Sequence, residues 1–154
     1  MRAALSACVV IVAATPHHAE AERTVRWRPQ PMAAACGEQR HFDECNPRFE
    51  GAHATLVRSV DDVHAVAPRC DLATWPRGAA LVAVDVQARG AVRVRRVTRR
   101  GDALTVHLDV GPSCDAAPPP LVHTRLWLRV PAGATAVTVD RRVRPPRPRC
   151  WRLP

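Results

Sequence analysis

The sequence predicts an all-β fold with minor α content: an antiparallel β-sandwich or open barrel with one short helix, stabilised by disulfides. Three observations predict it. Runs rich in Val, Leu and Ala recur at short spacing from residue 79 to 143, and most of them alternate apolar with polar residues. Turn residues separate these runs, with Arg99-Arg100-Gly101-Asp102 and Pro131-Ala132-Gly133 the clearest. Finally, six cysteines occur in a chain whose aromatic content is only 4%, with no Tyr. A core of small aliphatic side chains is thin and gains from cross-links.

The chain opens with an export address. Arg2 gives a positive start, residues 3–14 are apolar, and Ala19-Glu20-Ala21 has the form of a cleavage site, so residues 1–21 read as a signal peptide cut before Glu22. That stretch falls short of the ~20 residues a membrane-spanning helix needs. Leu5-Ser6-Ala7-Cys8 resembles a lipid-attachment box, but Val9-Val10-Ile11-Val12 continue the apolar run beyond the cysteine, which disfavours a lipoprotein. The expected location is secreted or periplasmic, without a membrane span.

Residues 22–53 lack a sustained period and read as an irregular, cysteine-containing N-terminal arm that begins with Arg26-Trp27-Arg28-Pro29-Gln30-Pro31. Residues 54–143 read as the β-domain. Residues 54–58 form a short strand, and Ser59 then caps a helix of one or two turns, with Asp62 as reciprocal cap and Pro68 as the stop. The run 79–86 is almost continuously apolar, as a strand covered on both faces would be. The runs 92–97, 104–110 and 122–130 alternate, as half-buried strands do. Arg99 to Asp102 should turn a hairpin, with Gly101 at positive φ. A last strand spans 135–143, and residues 144–154 form an Arg/Pro-rich, extended tail.

After loss of residues 1–21 the disulfide candidates are Cys36, Cys45, Cys70, Cys114 and Cys150. Proximity in sequence favours Cys36 with Cys45, leaving Cys70, Cys114 and Cys150 to compete for a second bond and one thiol over. Cys36, His41 and Cys45 also form a C-x4-H-x3-C array. It lacks the C-x-x-C pair typical of structural zinc, and in an exported chain a disulfide is favoured, so no metal or other cofactor is expected.

All 23 basic residues are Arg, and the net charge is +9. The Ala, Arg and Pro richness carries the mark of a GC-rich genome, yet summed charge still attracts acidic partners. Loss of Arg2 and Glu20 leaves the charge unchanged. Alternation places Arg93 and Arg95 outward on one strand and Arg125, Trp127 and Arg129 outward on another. If the two strands share a sheet, these five form a binding surface; the alternative is that the N-terminal arm covers Trp127. His107 lies on the polar face of its strand, and His123 shares a face with Arg125 and Trp127.

Catalysis finds no signature. Ser59 sits in a cap and Ser113 in a turn, neither in a nucleophile elbow; the carboxylates Asp61, Asp62, Asp71, Asp85, Asp109 and Asp140 are scattered; no glycine-rich phosphate loop occurs. A non-enzymatic reading follows, with no catalytic residues assigned.

One family resemblance bears on function. Thr55-Leu56-Val57-Arg58-Ser59, the short helix, Cys70-Asp71-Leu72, Leu81-Val82-Ala83-Val84, the hairpin Val92 to Leu108, Gly111-Pro112-Ser113-Cys114 and Leu126-Trp127-Leu128-Arg129-Val130-Pro131 follow one another in an order that resembles the PrcB C-terminal domain family over residues 54–140. Where members commonly carry a Thr-Gly-Gly-Tyr-type turn, this chain has Ala88-Arg89-Gly90-Ala91. The resemblance implies an exported bacterial β-domain that stabilises a surface protease complex and carries no catalytic residues. The primary expectation is therefore a non-catalytic accessory module bound to another exported protein. The alternative is a basic module for anionic polymers such as polysaccharide, lipid headgroups or nucleic acid; a hydrolase or protease inhibitor is the third.

Overall fold

The computed structural model describes residues 20–32, 36, 51–70, 72, 74–111 and 122–144. In chain order the elements are β1 (Arg23–Val25), β2 (Arg28–Pro29), β3 (Ala52–Val57), α1 (Val60–Val66), β4 (Ala79–Ala88), β5 (Val92–Arg100), β6 (Ala103–Val110), β7 (Val122–Pro131) and β8 (Ala136–Val143). They build two four-stranded sheets, the first ordered β1-β5-β6-β8 and the second β2-β7-β4-β3. The sheets pack as a mostly antiparallel sandwich with one helix, as the alternation predicts. The exception is β8, which runs parallel to β6. After β6 the chain crosses to the second sheet for β7 and returns as β8, and such a crossover, unlike a hairpin, permits a parallel pair.

Two apolar layers hold the fold. Between the sheets, Val97, Leu104, Val106 and Leu108 meet Val82, Val84, Val86 and Leu128. On the far side of the second sheet, Val57, Leu81, Ala83 and Trp127 pack beneath Val63 of α1 together with Cys36 and Cys70. Strand β4, flanked by β3 and β7, is thus covered on both faces, and nine of its ten residues are buried. That explains its unbroken apolar run.

Local signals act where they were read. Ser59 accepts a hydrogen bond from the Asp62 backbone N–H at 3.1 Å, and the Asp62 carboxylate accepts from the Ser59 N–H, so both caps of the box are made. The turn from β5 to β6 places Gly101 at φ 60°.

Three expectations are corrected. The arm is not wholly irregular: β1 joins the first sheet against β5, and β2 joins the second against β7. The arm therefore bridges both sheets, with Trp27 packed against the core between them. Cys36 bonds Cys70, not Cys45, with the two Cα atoms 4.4 Å apart. Closing this longer loop costs only ~1 kcal/mol more than the short one, because loop entropy grows logarithmically. Burial of both cysteines with Trp127 outweighs that difference. Strand β6 is more than half-buried, since His107 and Asp109 on its polar face are only 6% exposed.

Residues 1–19, which make up most of the stretch 1–21 expected to be a signal peptide, lie outside the described residues, as do His41, Cys45, Asp71, Ser113, Cys114, Cys150 and the tail from residue 145. Among the described residues no helix is long and apolar enough to cross a membrane.

Candidate functional site

The five residues predicted to share one surface do not share a sheet. Arg93 and Arg95 lie on β5 in the first sheet, whereas Arg125, Trp127 and Arg129 lie on β7 in the second. Arg93 and Arg95 are exposed, and the β5–β6 register slips between Val94 and Arg96. The bulge accommodates the break in alternation at Arg95-Arg96 and returns Val97 to the core.

On β7, burial removes two of the three candidates. Trp127 is 5% exposed, and its indole N–H donates to the Cys36 carbonyl at 3.1 Å. The arm covers it, as the alternative reading allowed. Arg125 donates from Nε to Asp85 at 2.7 Å and from a terminal nitrogen to the Val66 carbonyl at the end of α1 at 2.9 Å. Asp85 is 4% exposed and also faces His123 at 3.0 Å and His53 at 3.6 Å. This arginine ties helix to sheet and neutralises a buried carboxylate, so it is not offered to a partner. Arg129 alone of the three stays exposed, anchored by donation to the Arg77 carbonyl at 3.2 Å.

A second polar cluster lies on the outer face of the first sheet. His107 Nδ1 stands 2.7 Å from Asp140, and its Nε2 stands 2.8 Å from the Thr98 hydroxyl and 3.6 Å from Glu22. A hydroxyl, an imidazole and a carboxylate in this order resemble a nucleophilic relay. Thr98, however, is 3% exposed, and its hydroxyl is held by Glu22, whose carboxyl this hydrogen bond lowers below the ordinary range. The cluster clamps the N-terminal arm to the sheet across a hollow of about 480 Å³ rimmed by Glu20, Glu22, Arg100 and Thr105. Nearby, Arg144 donates to Asp109 and holds its carboxyl low. Among the described residues no group of three His, Cys, Asp or Glu side chains is placed to hold a metal.

A further constellation lies where β2 meets β7. Arg26, Trp27 and Arg28 face Arg129 and Pro131 around a hollow of about 300 Å³ that also takes in Gly78. Arg28 and Arg129 are direct cross-strand partners. Like charges so placed normally destabilise a sheet. Among the described residues no carboxylate lies within ion-pairing distance of Arg26, Arg28 or Arg129. Alternation singles out Arg129, whereas it places Arg26, Trp27 and Arg28 only in the arm. Their Arg-Trp-Arg run was the available signal, but pairing to β7 across about a hundred residues is invisible to periodicity.

No protein-family model, no curated protein and no solved structure matches the chain.

Proposed function

We propose that the chain is an exported, non-catalytic binding domain with an anionic partner, an anionic polymer being the partner its surface suits best. The observation that carries this reading is the convergence of Arg26, Arg28 and Arg129 with no carboxylate of the described residues among them. Guanidinium groups left without protein anions offer forked donors to oxyanions, and the net charge of +9 adds long-range attraction. Export is supported by the apolar leader and by the Cys36–Cys70 disulfide. The test is retention of the purified protein on immobilised anionic polysaccharide. Binding through several arginines should fall steeply between about 50 and 200 mM salt; absent or salt-independent retention overturns the reading.

A second reading is an accessory domain for another exported protein, as the resemblance to the PrcB C-terminal domain family implies. It is supported by the edge strand β8, which ends the first sheet with no further strand beside it among the described residues and leaves Val143 59% exposed. Such an edge suits strand addition by a partner. Capture from envelope and culture fluid at about 0.3 M salt, which screens exposed charges, decides: one stoichiometric protein favours this reading, and an empty capture removes it.

A further inference from the structure

The hollow between β2 and β7 has features that charge alone does not require. Trp27 packs against the core with part of its surface and lines the hollow with the rest. It is therefore a fixed apolar wall rather than a free side chain. Gly78, at φ 64°, turns the chain into β4 and leaves that part of the lining without a side chain. Arg129 is held by the Arg77 carbonyl, so little side-chain freedom remains to be lost on binding. The volume of about 300 Å³ lies at the small end of ligand sites and suits one ring-sized unit.

We propose that this hollow binds a carboxylate-bearing sugar ring, one unit of an anionic polysaccharide. The proposal rests on the anionic-polymer reading and adds the chemical unit that the polymer presents. The carboxylate meets the guanidinium groups of Arg26, Arg28 and Arg129, whose planar forks match its geometry. The C–H face of the ring lies on Trp27, which gives a flat apolar body the area that an acidic peptide side chain, a carboxylate on a flexible stem, cannot use. The anion also relieves the Arg28–Arg129 opposition, so occupancy stabilises the β2–β7 pair.

The test is calorimetric titration of the full-length protein at 0.15 M salt with three probes: tetragalacturonate, its methyl ester and a poly-glutamate of equal charge. The expected result is binding of tetragalacturonate alone or at least tenfold tighter than either control. R26Q and R28Q should each weaken it about tenfold, the loss of one charge-assisted contact, and W27F severalfold, measured well below the melting temperature of that variant, which the smaller ring lowers by loosening the core contact. R93Q on the opposite sheet serves as a control that should bind normally. Equal binding of poly-glutamate, or W27F without effect, overturns the sugar-ring assignment while leaving the anionic-partner reading intact. Loss of binding in R93Q but not R28Q moves the site to the first sheet and overturns the hollow. No binding of any anionic probe removes both readings.

Discussion

At the scale of single residues, buried charge decides what each arginine is for. Arg125 and Asp85 form a pair in which the acid is 4% exposed, with His123 and His53 beside it. Removing one member of such a pair leaves the other charged and without its counter-ion, so Asp85→Ala should cost about 3–5 kcal/mol. The measurement is the urea midpoint of the variant against that of the parent protein. Arg125→Met, which removes the charge along with its need for a partner, should cost less when made in the Asp85→Ala background than alone, because the two side chains are coupled. Alternation correctly put Arg125 and Trp127 on the face away from the inter-sheet core. What it could not supply was the second cover on that face, because the groups that provide it, Cys36, Val63 and Cys70, come from distant parts of the chain. A period of two says that a side chain leaves one core; it does not say that it reaches water.

At the scale of elements, local chemistry was legible and remote chemistry was not. The helix from Val60 to Val66 is marked by its own cap, and Ser59→Ala should cost about 1 kcal/mol, measured as a lower denaturation midpoint. The strands β5 to β8 fall close to the runs that alternate, because each run is long enough to show its period, and β4 falls on the unbroken apolar run that a strand covered on both faces shows. Strands β1 and β2 have three and two residues and show none. They exist because β5 and β7 offer them edges. The cysteine pairing fails in sequence for the same reason, since proximity along the chain says nothing about which thiols the helix layer brings together. The Cys36–Cys70 bond pins the arm beneath α1 and against Trp127. Cys36→Ser with Cys70→Ser should therefore lower stability by about 2–4 kcal/mol, and should also expose Trp127, read as a red shift and greater quenching of its fluorescence. Peptide mapping of the unreduced protein should yield residues 36 and 70 in one cross-linked product; recovery of 36 linked to 45 would refute the pairing.

At the scale of the whole molecule, excess positive charge and the placement of the acids set the response to pH. Among the described residues four carboxyls are held below their ordinary range: Glu22 chiefly by the Thr98 hydroxyl, Asp62 by the Arg58 backbone N–H, Asp102 by the Thr135 hydroxyl and Asp109 by Arg144. Each is ionised in the folded protein at a pH where the unfolded chain has begun to take up protons. As pH falls through about 4, the unfolded state binds more protons than the native one, and stability declines until the folded carboxyls are protonated too. Above that range these groups contribute fully and the dependence on them is flat. Their loss also releases tethers in one direction: Glu22 holds the arm to β5 and β6, while Asp109 holds the segment after β8. Each proton taken up further raises a net charge that is already +9, adding repulsion to the lost contacts. The urea midpoint should therefore fall on acidification below about pH 5, and added salt should lessen the part due to repulsion. Glu22→Gln with Asp109→Asn should flatten the acid limb while lowering stability at neutral pH, where the charged forms act. A midpoint that rises toward acid would show that these carboxylates are not what holds the arm and the last strand in place.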